Sequence, residues 1–452
     1  MSDRLLIISG DNHAGAQLSE YAPYIEAMYR PALKDLEEEE AEFFAATGAL
    51  SKFSSEVLEV IDDRQAIRTG GVSGAWDVAR RLKEMDAEGV AAEIVHAGHQ
   101  AATMPFFSQV NKPHPVEYRA AGARAYHRWF ADCIAEGQGR IHGVADPGPC
   151  HDVFETVREL HWLADNGFVS VGVPGIVKDD NLPSLMSGYF EPFWTACEER
   201  GLVLSVHAGW GAEQGMFFKY SKMRAEMGMM QDAQDSEAFA KALRESRESP
   251  LFLNLAPRRV FWQLAMAGVF DRHPRLKFCF TEVRADWIPE TMAWLDRRFD
   301  RTGVRARLRP SEYFKRQGYA CPSSPRPTEI ALRDRIGLER FMFGVDYPHP
   351  EGTWPNTLPW LRSIFADIPE HDARRILGQN AVDCYGLDAA KLSTIAEKIG
   401  PKPTEVLSFT GQIDRGVLDH FDVRAGFARP PEMIDELALE RAFQDDLRVA
   451  AA

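Results

Sequence analysis

One feature constrains this chain more than any other: short apolar runs alternate with longer amphipathic stretches along most of its length. The runs are "LLIIS" (5–9), "AAEIVHAG" (91–98), "RIHGVADPG" (140–148), "FVSVGVPG" (168–175), "LVLSVHAG" (202–209), "LKFCFTE" (276–282), "QGYACP" (317–322) and "RFMFGVDYP" (340–348). Several are almost continuously hydrophobic, as strands covered on both faces are. Between them lie helix candidates at 117–136, 151–165, 188–200, 257–270 and 286–301. Strand-then-helix order builds a parallel sheet, and eight repeats predict an α/β fold, a (β/α)8 TIM barrel. A doubly wound open sheet is the competitor. No G-x-G-x-x-G follows the first run, which weakens the dinucleotide-binding form of that alternative.

Residues 1–390 make up the expected barrel. Insertions at about 14–85 and 210–250 follow the first and fifth strands, on the side where barrel enzymes carry their substrate loops. The first insertion reads as mostly helical, with the acidic run "LEEEEAEFF" (36–44) as a solvated face; the second holds the methionine-rich "MRAEMGMMQDAQ" (223–234). Residues 391–452 read as a helical extension that packs on the barrel or on a neighbouring subunit. A net charge of −15 argues against nucleic acid or an anionic membrane surface as partner. No apolar run approaches the ~20 residues that span a bilayer. The start "MSDRLLIISGDNH" reads as a first strand and not a signal peptide. Cys133, Cys150, Cys197, Cys279, Cys321 and Cys384 form no C-x-x-C pair. They fit a reducing cytoplasm, and any metal must then be held by histidine and carboxylate.

The residues that end the strands carry chemistry. Asp11 and His13 in "SGDNH" are two apart, so they project to one side beyond the first strand. "SVHAG" delivers His207, "CFTEVRADW" Glu282, and "FGVDYPHPEGTWP" Asp346. In a closed barrel the eighth strand neighbours the first, which brings Asp346 beside Asp11 and His13, with His207 across the mouth. Two imidazoles and two carboxylates suffice for one divalent cation with open positions for water or substrate. Each residue also has a plain explanation, such as a hydrogen-bonded core histidine or a helix-capping aspartate.

The set "GDNH … SVHAG … FTEVRADWIP … FMFGVDYPHPEGTWP", with the late "RRILGQNAVDCYGL" (374–387), resembles the amidohydrolase superfamily, in the branch that contains aminocarboxymuconate-semialdehyde decarboxylase. The resemblance spans roughly residues 3–390. It implies Asp11, His13, His207 and Asp346 as metal ligands and favours zinc. Asp11 in place of the more common histidine shifts the site towards manganese or iron. Members often carry a histidine where this chain has Glu282, so histidine-dependent chemistry of those relatives does not transfer. No lysine stands in "FVSVGVPG" to bridge two metals, so a single ion is expected. The resemblance also favours a homodimer or larger oligomer.

The first expectation is hydrolysis of an amide, lactone or ester. Asp346 serves as base and then acid towards a metal-activated water, with His207 and Glu282 completing the catalytic set. The alternative is metal-dependent, non-oxidative decarboxylation of an aromatic or muconate-type acid. A non-catalytic metabolite-binding barrel is a third reading. His96, Phe107, Trp210, Arg284, Trp287, His349 and Trp354 are the expected substrate contacts, for a small ring-containing substrate. His96 and His99 end the second strand, and at least one of them is expected to be structural.

Overall fold

The computed structural model describes residues 3–47, 53–98, 104–107, 113–212, 255–302, 304, 306–428 and 435–451, without the side chains of 42–47 and 451. His99 and most of the second insertion, including 223–234, lie outside the described residues.

The strands are β1 (Ile7–Ser9), β2 (His13–Ala14), β3 (Val90–Ala97), β4 (Ile141–Ala145), β5 (Phe168–Gly172), β6 (Val203–His207), β7 (Phe278–Thr281) and β8 (Gly318–Cys321). They pair in parallel in the order β1-β3-β4-β5-β6-β7-β8, with the two-residue β2 beside β3. The predicted run 340–348 forms no continuous strand. It makes single parallel bridges, Phe341 to Ala320, Gly344 to Ser323 and Tyr347 to Asn12. The Gly10 N–H also donates to the Phe343 carbonyl at 2.8 Å. The segment therefore lies between β8 and β1 and closes the ring as a TIM barrel. Its ladder is broken because Asp346 takes a left-handed conformation (φ 62°) and Pro348 has no N–H to donate.

Alternation along the strands separates two cores. Ile8, Ala92, Ile94, Val144, Val203, Cys279, Tyr319, Cys321 and Met342 fill the barrel interior. Their neighbours Ile7, Val95, Val171, Leu204 and Phe278 pack outward against the helices. By the same period His96 continues the interior face of β3 after Ile94, and His207 that of β6 after Val203. The interior face thus runs upward from hydrocarbon into imidazole at the C-terminal rim.

The covering helices include Val116–Glu136, Val153–Asp165, Glu191–Arg200, Leu255–Met266 and Ile288–Thr302. The first insertion folds into the helices Arg30–Thr47, Ser55–Ile61 and Val78–Glu88. In the last of these, the Asp77 side chain accepts from the Arg80 N–H, and Gly89 ends the helix in a left-handed turn that feeds β3. Beyond the barrel, helix Arg415–Ala425 sets Phe421 against Trp360, ring centroids 4.5 Å apart. Helix Glu436–Ala451 docks on Leu255–Met266. There Asp446, 2% exposed, accepts from Arg259, Trp262 Nε1 and Gln263 Nε2 at 2.8–3.1 Å. Among the described residues no helix is long and apolar enough to cross a membrane.

Candidate metal centre

Asn12, between the two opening candidates, staples the site to the sheet. It is fully buried, accepts from Ser9 Oγ at 3.0 Å and donates through Nδ2 to the Ile94 carbonyl at 3.1 Å. That leaves its neighbours Asp11 and His13 to point into the mouth. Gly344 leaves room for them: a Cβ there would lie 2.9 Å from the Asp11 Cβ. The parallel register then sets His13 opposite His96 on β3. After Asp346 the chain folds back, with the His349 N–H on the Asp346 carbonyl and the Thr353 N–H on that of Val345, both at 2.8 Å. The loop lays the His349 ring on the His13 ring at 4.1 Å, tilted 22°. Glu282 has φ 57°, so the carboxylates after β7 and in the closing segment, Glu282 and Asp346, both sit in the region disfavoured for side-chain-bearing residues.

Asp11 Oδ1 is the hub. His207 Nε2 lies 3.5 Å from it, His13 Nε2 3.7 Å and His96 Nε2 3.9 Å. Asp346 Oδ1 stands 3.4 Å from His13 Nε2 and 3.0 Å from His349 Nδ1. His207 Nδ1 is 3.4 Å from Glu282 Oε2. Asp11 Oδ1, His96 Nε2, His207 Nε2 and both Asp346 oxygens are buried without a directed hydrogen bond among the described residues. Two donors that share an ion at ~2.1 Å stand roughly 3–3.5 Å apart, and the imidazole nitrogens around Asp11 Oδ1, at 3.5–3.9 Å, lie beyond hydrogen-bond range and near that spacing. The donors therefore fit a divalent cation. Asp11, His13 and His207 form one candidate ligand group, and His13, Asp346 and His349 another.

The electrostatics agree. Burial pushes the Asp11 carboxyl up, but His207, the charge on His96 and the Ser323 hydroxyl pull it below its ordinary value. Burial works against a charge on His207, yet Glu282 and Asp11 raise it to about 10. The direction of that shift follows from the acidic groups packed against the imidazole. His96 is driven down to about 3, by burial first and then by His207. Burial, with Asp11 beside it, holds Asp346 well above the usual carboxylate range. Glu282 rises to about 8, again chiefly through burial.

The structure thus brings together Asp11, His13, His207, Asp346 and Glu282, with His96 and His349 in the same cluster. Other expectations require correction. Trp287 is 2% exposed, packs its ring on Phe280 at 5.0 Å beneath Arg258, and donates to the Val283 and Arg284 carbonyls. Trp354 is buried against Tyr347 with its indole N–H on Glu84 at 3.0 Å. In this structure both indoles are engaged in packing and hydrogen bonds. The Arg284 guanidinium is spanned by the Asp286 carboxylate through two contacts. Phe107 is buried, and half-buried Trp210 donates to the Val173 carbonyl at 3.0 Å. Asn12 and Arg81, the latter donating to the His13 carbonyl at 2.8 Å, are positions that sequence reasoning does not single out. Their signal was a polar residue in a stretch the fold must bury.

The amidohydrolase family model matches residues 70–387, a span that holds His96, His207, Glu282 and Asp346 and begins after Asp11 and His13. The chain belongs to this family. It is a metal-dependent enzyme of the amidohydrolase superfamily. Its fold is similar to 5-carboxyvanillate decarboxylase LigW from Sphingomonas paucimobilis, at 18% identity over 85% of this chain and 100% of that one, TM-score 0.54. An amidohydrolase of Mycobacterium avium subsp. paratuberculosis matches at 18% identity over 84% of this chain and 99% of that one, TM-score 0.57. A 5-carboxyvanillate decarboxylase of Novosphingobium aromaticivorans, solved with manganese and 4-hydroxy-3-methoxy-5-nitrobenzoic acid, matches at 16% over 86% of this chain and 100% of that one, TM-score 0.56. At these identities the likeness is one of fold.

Proposed function

We propose that this amidohydrolase-family enzyme is a non-oxidative decarboxylase of a hydroxylated aromatic acid, using a divalent ion that is manganese in preference to the zinc first expected. The observation that carries this reading is a proton-favouring carboxyl beside the donors: Glu282 Oε2 lies 3.4 Å from His207 Nδ1, and burial raises its pKa above the ordinary carboxylate value. A carboxyl that favours its protonated form suits the acid that replaces CO2 by hydrogen better than the base that activates water. The decarboxylases of the same fold, one of them solved with manganese and a nitrated hydroxybenzoate, support the substrate class and the metal. A donor set of imidazoles and carboxylates without thiolate suits that ion as well as zinc.

Asp11, His13, His207 and Asp346 would hold the metal, with His96 and His349 bordering it. Bound there, the ion would supply the positive charge that lets a substrate carboxylate and its neighbouring oxygen lie among these acids. The remaining work falls to side chains. Glu282, whose side chain is 26% exposed, is reachable both by substrate and by solvent. As the bond from ring to carboxylate breaks, its electron pair stays on the ring carbon and CO2 departs. Glu282 gives its proton to that carbon and regains one from water. His207 Nδ1, hydrogen-bonded to the Ala208 carbonyl at 3.0 Å, lies 3.4 Å from the Glu282 carboxyl.

Hydrolysis remains the second reading on one observation: Arg284, the cation expected to clamp a substrate carboxylate, is engaged by Asp286. The test is manganese-loaded enzyme incubated with a panel of hydroxybenzoates and, separately, with aryl amides and lactones in 18O-water. CO2 release matched by deuterium on the product ring in D2O is expected. Solvent oxygen in the product, with no CO2, overturns the decarboxylase reading in favour of hydrolysis.

A further inference from the structure

We propose that Arg81, on the helix Val78–Glu88 of the first insertion, is a positioning residue for the metal centre, locking the His13 segment to the Asp346 loop from outside the barrel wall. The inference rests on reading the cluster as a metal centre and is independent of the reaction it serves.

Arg81 is 2% exposed in the layer between that helix and the sheet. Its Nε donates to Glu93 Oε2 at 2.6 Å. Glu93 lies on the outward face of β3, one residue before the interior-facing Ile94. Nη1 donates to the His13 carbonyl at 2.8 Å and to the Gly74 carbonyl at 3.2 Å. The guanidinium carbon lies over the Tyr347 ring, 5.1 Å from its centroid. Tyr347 directly follows Asp346, and its hydroxyl donates to the Gly71 carbonyl. The His13 N–H in turn donates to the Tyr347 carbonyl at 2.8 Å. One buried cation thus touches the backbone of one ligand, the residue after another, and the strand that bears His96.

Only arginine has this geometry. Its rigid fork reaches Glu93 and two carbonyls at once while its cationic carbon stays over the tyrosine ring; an ammonium is a point charge without the fork. Donors of a metal site must hold to within about 0.5 Å of their working positions. Partners behind the ligands set that precision, and their removal commonly costs 10–100-fold in metal affinity. The packing is tight enough to transmit a change: a Cβ at Gly74 would meet the Tyr347 hydroxyl at 2.1 Å and the Arg81 Cα at 3.0 Å.

The experiment uses the full chain, stripped by chelator and titrated with Mn2+ by calorimetry and Mn2+ EPR, as wild type, Arg81→Met, Arg81→Lys and His13→Ala. Arg81→Met is expected to weaken Mn2+ binding about 10–100-fold and to alter the EPR zero-field splitting, with partial recovery in Arg81→Lys. A lowered melting temperature with unchanged Mn2+ affinity and an unchanged spectrum would assign Arg81 a merely structural role and overturn the proposal. Wild type that binds no Mn2+, or His13→Ala that binds as tightly as wild type, overturns instead the metal-centre reading beneath it. If Arg81→Met does not fold, Glu93→Gln keeps the shape and removes the charge that aims the guanidinium. Severalfold weaker binding supports the role, and equal binding sinks it.

Discussion

Glu282 concentrates the chemistry of this site in one proton. Its backbone is left-handed, its carboxyl lies 3.4 Å from His207 Nδ1, and partial burial raises its pKa to about 8. A proton donor acts only while protonated, so turnover is predicted to fall as pH rises through that value. The descending limb is expected at or below about 8, since a bound cation pulls the carboxyl down. Glu282→Gln should retain manganese but lose about 100-fold or more in kcat, and its residual rate should lack the limb. A pH–rate profile of both proteins checks this, and an unchanged limb in the variant would remove Glu282 from the proton transfer. At this scale the sequence was informative about residue type and poor about direction. Asp11, His13, His207, Glu282 and Asp346 were legible because strand ends in a barrel converge. Arg284, Trp287 and Trp354 occupy equally promising positions, yet turn geometry sends them to Asp286, Phe280 and Glu84.

Between elements, the coupling of first insertion to last loop decides whether the donors meet. Glu84 accepts from Trp354 Nε1, and Glu88 accepts from the Thr357 N–H at 2.8 Å while pairing with Arg64. With Arg81 these residues make one face of a single helix the mould for the Asp346 loop. Gly74→Ala would drive a methyl into Tyr347 and the Arg81 backbone. It is predicted to lower stability by about 1–3 kcal/mol, in the range for overpacking, and to reduce bound metal in parallel. Urea denaturation with elemental analysis reads both. Element existence was open to sequence reasoning, and helix Val116–Glu136 begins one residue before its expected start. The run 340–348 was legible as the closing segment, but its reduction to single bridges and the two-residue β2 were not, because long-range hydrogen bonds define them.

Across the whole molecule, two distant segments bear on stability. The terminal helix is pinned by Asp446, whose carboxylate satisfies Arg259, Trp262 and Gln263 together. Asp446→Ala strands these donors in a buried interface and is predicted to cost about 2–4 kcal/mol, measurable by urea denaturation. A stability within 0.5 kcal/mol of wild type, a bound set by ordinary surface substitutions, would show that the terminal helix docks without it. The metal centre joins both ends of the barrel sequence, so an ion that binds only the folded chain stabilises it by mass action. At 100 times its Kd the gain is about 2.7 kcal/mol. Chelation should therefore lower the melting temperature and added Mn2+ restore it; no shift in either direction would argue against a metal centre here.

From its own residues the chain dictates an alternating strand–helix order, a parallel barrel and a set of polar groups at the strand ends, because these follow from hydrophobic period and the two-residue repeat of strands. The three-dimensional fold alone decides which of those groups share a centre. It adds His96 and His349 to the cluster, diverts Arg284 to Asp286, and recruits Arg81 from a helix behind the wall. The reason is physical: side-chain direction at a rim depends on turns, positive-φ residues and contacts hundreds of positions apart, such as the bridge from Asn12 to Tyr347, and no local pattern encodes them.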